Sequence, residues 1–307
     1  MKRILALAVA IILLASPFYG EAAEKSLTVG SSRTGEQIIL GQIMIALLSD
    51  HGFKCRDLTG LGTGQLVRQA LINGQIDIYM EYTGAAWKAL FKPDGPVPGP
   101  EECYQMVKEA DRQRHGLAWL PIMASNRAPC LLMSREEAAR LKIASISDLA
   151  AFIKAHPKEL TLGVTAEYYA RPEGYQALAG AYGLGFSKDD IHKMDQAIIY
   201  HALKEGQVSA GLGLATDGRV EAFDLTVLND DRRHFPPFYP APVVRQESLV
   251  AWPELEQIFA GLAAKLTQKE MTRLNRLVWL NHQPPTEAAR AWLTDQGLIQ
   301  AAPQGGE

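Results

Sequence analysis

Gly74-Gln75-Ile76-Asp77-Ile78-Tyr79-Met80-Glu81-Tyr82-Thr83-Gly84 reads as a short strand that runs straight into a polar, aromatic turn. Ile76, Ile78 and Met80 fall on one face at period two, and Asp77, Tyr79 and Glu81 take the other. Gly74 closes the helix before it, and Gly84 permits a sharp turn after it. Open α/β sheets hold their ligands at strand ends of this kind. The stretch therefore carries two readings: a core strand with a tyrosine at its edge, or one wall of a ligand site.

Upstream, Leu27 to Gly30 is a strand opening the loop Ser31-Ser32-Arg33-Thr34-Gly35, and a helix follows from about Glu36 to Asp50, closed by His51-Gly52. Such a strand-loop-helix aims backbone N–H groups and hydroxyls at whatever sits before the helix, a natural place for an anion. Phe53 to Leu58 is the next strand, and Gly60-Leu61-Gly62-Thr63-Gly64 leads into a helix over Gln65 to Asn73. That glycine run is not the dinucleotide fingerprint and lacks the lysine of a phosphate-binding P-loop; a tight strand-to-helix turn accounts for it.

Downstream, Pro93 to Pro100 is a Pro/Gly-rich loop, Glu101 to Arg114 a charged helix, and Leu117 to Leu120 a strand leading to Ser125-Asn126-Arg127-Ala128-Pro129, a crossing out of a first domain. Helices (Arg135 to Leu141, Ser145 to Ala155, Tyr175 to Tyr182, Ile198 to Leu203) then alternate with strands (Leu160 to Val164, Gly211 to Leu214, Leu225 to Leu228). This order predicts α/β architecture, with mostly parallel sheets and helices on both faces. Prolines keep Phe235 to Arg245 extended as the return crossing. The last third is helical over Pro253 to Leu262, Thr267 to Leu280 and Thr286 to Gln296.

The chain has 307 residues and a net charge of −3. Lys2 and Arg3, the uncharged apolar run Ile4 to Ala15 and the small residues around Gly20-Glu21-Ala22 read as a cleaved export signal over 1–22, with the mature chain starting near Ala23 or Glu24. That run is shorter than the roughly 20 residues a membrane span needs. No cysteine follows it, so no lipid anchor is expected. The remainder is long enough for about two domains, and 303–307 read as a disordered tail. No basic face suggests nucleic acid. Cys55, Cys103 and Cys130 leave open one disulfide plus a spare thiol. The 7 histidines include no HExxH pair, and no Gly-x-Ser-x-Gly elbow is present. Asp77 and Glu81, on one strand, offer a pair of carboxylates for acid–base work. The expectation is a binding protein, not an enzyme, with no cofactor and no metal.

Gln37-Ile38-Ile39-Leu40-Gly41, the run Ala70 to Tyr79, Glu81-Tyr82-Thr83-Gly84, Thr216-Asp217-Gly218, Phe235-Pro236-Pro237, Ala241 to Arg245 and Leu266-Thr267 together carry a resemblance over nearly the whole mature chain. It resembles the substrate-binding proteins of ABC importers for glycine betaine, choline and related quaternary amines. The resemblance implies a two-lobed periplasmic binding protein: 24–125 plus 236–302 as the first lobe, 126–235 as the second, and a cleft that closes on its ligand. It also implies a monomer that serves an inner-membrane permease.

That family boxes the cationic head of its ligand in aromatic rings and meets any carboxylate with arginine. Matched position by position, Tyr82 and Tyr200 are box tyrosines, Phe238 stands where a tyrosine is usual, and Arg171 is the carboxylate arginine. A further family tyrosine falls on Ala128, leaving Tyr168, Tyr169 or Tyr239 to fill that wall. Thr83, Ser31 and Asn126 complete the candidate contacts. Arg33 and Arg127 depart from the family pattern at or beside the cleft. They point to a ligand with more negative charge, or a smaller cation, than glycine betaine. A periplasmic sensor domain is the reading from another class.

Overall fold

The computed structural model describes residues 24–91 and 97–300. The export signal read over 1–22, the tail over 303–307 and positions 93–96 of the Pro/Gly-rich loop lie outside these residues. Ten strands are described: β1 (Ser26–Ser32), β2 (Lys54–Gly62), β3 (Ile78–Tyr82), β4 (Leu117–Trp119), β5 (Pro129–Ser134), β6 (Leu162–Val164), β7 (Ile191–Lys193), β8 (Ala210–Leu214), β9 (Leu225–Val227) and β10 (Pro240–Arg245). They form two five-stranded sheets, ordered β2-β1-β3-β10-β4 and β7-β6-β8-β5-β9.

Both sheets follow one plan. β1 is parallel to β2 and β3, and β10 runs antiparallel between β3 and β4. Likewise β6 is parallel to β7 and β8, and β5 runs antiparallel between β8 and β9. The reversed strand of each sheet is the one that follows a crossing: β5 comes after residues 120–128, and β10 after 228–239. A chain that leaves one sheet at its C-terminal edge enters the next from that same side. Its first strand must then run away from the crossing, against strands that run toward it.

Helices cover both faces of each sheet, so polar residues at alternate strand positions are buried as well. In β3 every residue is buried. Ile78, Met80 and Tyr82 join the core built with the helix Gly35–Asp50, while Tyr79 joins the core beneath the helices Gly64–Ile72 and Pro100–His115. Ile76 departs from the period-two expectation and lies in the cluster with Tyr79. The reason is local: Asp77 precedes the paired strand and closes a turn onto β1, its N–H donating to the Thr28 carbonyl and its carboxylate accepting from the Thr28 N–H. Side-chain alternation starts afresh at Ile78.

The second sheet is packed by Leu131, Leu162, Leu178 and Leu212 on one face and by Ile199, Tyr200 and Leu203 on the other. All three cysteines are free thiols, so packing rather than cross-linking holds these bodies together. Among the described residues no helix is long and apolar enough to cross a membrane.

Candidate functional site

The two crossings are stitched to each other and to β3. The Asn126 side-chain oxygen accepts from the N–H groups of Phe238 (2.8 Å) and Ala128 (3.2 Å), and the Arg127 N–H donates to the Phe238 carbonyl at 2.9 Å. Thr83 is buried; its hydroxyl donates to the Pro237 carbonyl (2.9 Å) and accepts from the Tyr239 N–H (3.2 Å). Gly84 is needed here because a Cβ would stand 2.6 Å from the Pro237 carbonyl oxygen. Asn126 and Thr83 therefore hold the two crossings in register.

Glu36, in the first turn of the helix Gly35–Asp50, lies at the centre of the charged region. Its buried carboxylate accepts from the Tyr82 hydroxyl (2.6 Å), from Asn275 (2.8 Å) and from the Thr216 hydroxyl. Tyr82 and Asn275 belong to the body of the first sheet, and Thr216 to the turn after β8 of the second. Gly218 lets that turn approach the helix Gln268–Trp279 so closely that a Cβ would meet the Arg276 backbone nitrogen at 2.5 Å. Arg127 brings its guanidinium to 5.6 Å from the Tyr82 ring centroid, with Nε 4.0 Å from Glu36. Burial works against that charge, but Tyr82, Glu36, Tyr200 and Asp217 more than offset it, so the Arg127 pKa is raised. Burial first, then the Glu36 charge, pushes the Tyr82 phenol well up, so it stays a donor.

On the second sheet, Tyr200 is fully buried and its hydroxyl accepts from the Leu214 N–H at 2.9 Å. The Arg219 guanidinium sits 4.0 Å from its ring centroid and is held by Asp217 through two hydrogen bonds of 2.8 and 2.7 Å. Phe238 packs 6.3 Å from Tyr82, tilted by 48°. A cavity of about 410 Å³ opens between these groups, lined by Arg33, Arg127 and Arg219, by Glu36 and Asp217, and by Asn275 and the half-exposed indole of Trp279. A second cavity, about 550 Å³, adjoins the crossings and is lined by Asn126, Ala128, Phe235 and Tyr239 among others.

The candidates named from sequence thus fall into three groups. Arg33 and Arg127 line the first cavity, and Tyr82 and Tyr200 lie against Arg127 and Arg219, which line it. Thr83, Asn126 and Phe238 lie in or against the crossings, with Tyr239 beside Ala128 in the second cavity. Ser31, Tyr168 and Arg171 line neither cavity. Ser31 is buried; its hydroxyl donates to the Ser32 carbonyl and accepts from the Gly60 N–H. Arg171 pairs with Glu167 on the surface, and the Tyr168 hydroxyl is buried without a partner. Tyr169 stacks on Tyr175. Sequence reasoning passed over Glu36, Asp217, Arg219, Asn275 and Trp279. The usable signal was Asp217-Gly218-Arg219, a carboxylate two residues before an arginine at a strand-to-helix turn, where the Asp217 side chain also caps the helix through the Arg219 N–H at 3.0 Å.

Two sheets joined by two crossings, with a charged cavity where their strand-end loops meet, define an α/β two-lobed solute-binding protein. The chain belongs to the family described as the substrate binding domain of ABC-type glycine betaine transport systems, which it matches over residues 25–295. It is 36% identical to a glycine-betaine-binding protein of Pseudomonas aeruginosa over 94% of each chain. It is also 30% identical to the carnitine transport binding protein OpuCC of Listeria monocytogenes, over 84% of this chain and 83% of the relative. Among solved structures, ligand-free YehZ of Escherichia coli superposes with a TM-score of 0.82 at 28% identity, covering 89% of this chain and 99% of that one.

Proposed function

We propose that this protein is the extracytoplasmic solute-binding component of an ABC importer and that it delivers a small betaine-type zwitterion. The observation that carries the reading is the first cavity, where groups from both sheets present three guanidiniums, two carboxylates and an indole around a volume of about 410 Å³. A carboxylate finds bidentate partners among the arginines. A methylated ammonium finds the Trp279 face and the acidic groups. Lobes of 24–125 with 236–302 and of 126–235 would close on the solute about the crossings at Asn126 and Phe238. The export-signal reading of 1–22 supports delivery outside the cytoplasm, and the family membership supports a membrane permease as partner.

A thermal-shift panel of glycine betaine, carnitine, choline and small dicarboxylates tests this, because a ligand that binds only the folded state stabilises it by mass action. A betaine or carnitine should raise Tm by several degrees in a concentration-dependent way. A panel in which neither moves Tm while a dicarboxylate does would replace the osmolyte reading with that of an anion-binding protein.

A further inference from the structure

The three rings that the family resemblance assigns to the cationic head of the ligand already face cations of the chain itself. Arg127 lies 5.6 Å from the centroid of Tyr82, Arg219 lies 4.0 Å from that of Tyr200, and the Lys88 ammonium lies 5.9 Å from that of Phe238. These cations are not held alike. Arg219 is clamped by both oxygens of Asp217, and Lys88 is an exposed residue of the helix Thr83–Phe91. Arg127 is largely buried, and the carboxylate nearest to it, Glu36, is 4.0 Å away with three other donors already bound to it. A guanidinium carries five N–H donors in a planar fork. Arg127 thus brings a charge to the Tyr82 face while its donors stay free to meet the cavity it lines.

We infer that Arg127 is a built-in occupant of the cation seat and a specificity-determining residue: it excludes solutes that carry only a quaternary cation and admits solutes that carry a carboxylate. Exclusion has two sources. The guanidinium fills the space over Tyr82, and a second positive charge placed there meets like charge in a poorly solvated site. Admission follows from the unused fork, which matches a carboxylate in shape and charge. The ammonium end of a zwitterion then turns toward Trp279 in the same cavity. This role falls to an arginine other than Arg171, whose guanidinium is paired with Glu167 outside the cavity. The inference rests on the proposal that this cavity holds a betaine-type solute.

Calorimetric titrations and thermal melts of the full mature chain and of Arg127→Ala, with tetramethylammonium, choline and glycine betaine as probes, decide it. Arg127→Ala empties the seat beside the buried Glu36, so the variant should gain about tenfold or more in affinity for tetramethylammonium and lose about tenfold or more for glycine betaine. Tetramethylammonium should also raise the Tm of the variant and leave that of the parent unmoved. Equal binding of tetramethylammonium by parent and variant overturns the inference, and so, where the parent binds betaine, does unchanged betaine affinity in the variant. Should Arg127→Ala fail to fold, Arg127→Lys decides instead. It keeps the charge and loses the fork, so tetramethylammonium should stay excluded while betaine binding weakens several-fold; a lysine variant that binds either probe differently from this overturns it. A parent that binds no betaine, beside an Arg127→Ala variant that gains tetramethylammonium, defeats the proposed function and leaves the occupied seat standing.

Discussion

Two arginines, the buried Arg68 and the part-buried Arg127, are surrounded by nearly the same set of groups and do different things. Arg68, on the helix Gly64–Ile72, bonds Asp111 and lies 3.7 Å from Glu81. Asp111 also accepts from the Trp119 indole at 2.8 Å and faces His115 at 3.0 Å; Glu81 accepts from the Tyr79 hydroxyl and the Tyr82 N–H. Arg127 faces Glu36, whose oxygens take up Tyr82, Asn275 and Thr216. Both clusters satisfy a buried carboxylate and balance it with a guanidinium. The Arg68 cluster draws every partner from one side of the first sheet, whereas the Glu36 cluster draws them from both sheets and a crossing. A local network of this kind stabilises the one body it lies in. A network spanning two bodies also reports how those bodies stand to each other, and its loosely held arginine is free to answer a ligand.

The largest effect should come from breaking the local cluster. Asp111→Ala strips a buried arginine of its hydrogen-bonded carboxylate and should cost about 3–5 kcal/mol in urea unfolding, with glycine betaine affinity unchanged in whatever remains folded. Thr216→Val should come next. It removes one donor to a buried carboxylate with little change of shape and should cost about 1.5–3 kcal/mol, but here solute affinity should shift as well, because the lost bond joins the two sheets. If Asp111→Ala altered affinity more than Thr216→Val, the division into a stabilising cluster and a responsive one would be wrong.

The division was only partly legible in the sequence. Strand-helix alternation and the prolines at 236 and 237 announce two α/β bodies and a return crossing, because periodicity and forbidden backbone angles are local properties. Strand direction is not local. The reversed β5 and β10 follow from where the crossings enter, which no period records. Tyr79 and Glu81 read as a polar face, yet both are buried, because the preceding helix Gly64–Ile72, which carries Arg68, and the helix Pro100–His115 cover that face, and no strand period records what packs on it. The site shows the same limit. Tyr82 and Tyr200 could be singled out from short motifs, but what lies against a ring face depends on partners distant in sequence. Asn275 reaches Glu36 across 239 residues, and nothing near Tyr82 announces Arg127.

The smallest effect, a change in pH dependence, tests the local cluster at Glu81. Arg68 is held charged: burial opposes it, but the bond to Asp111 together with the charges of Asp111, Tyr79 and Glu81 more than offsets that cost. Glu81 moves the opposite way, its pKa raised above 4.5 chiefly by burial. The two directions are compatible because Asp111, not Glu81, is the hydrogen-bonded partner of Arg68, with Glu81 left at 3.7 Å. A carboxyl whose folded pKa is raised binds its proton more tightly in the folded chain than in the unfolded one. Its contribution to stability is therefore present below pH 4.5 and is lost as pH rises through the raised folded value. Glu81→Gln should remove that decline, so the stability of the variant should fall less between pH 4.5 and neutrality than that of the parent. A parent that instead gains more stability than Glu81→Gln over that interval would show Glu81 to be an ionised partner of Arg68. The local cluster would then be a three-charge network, and the contrast with the cleft would rest on location alone.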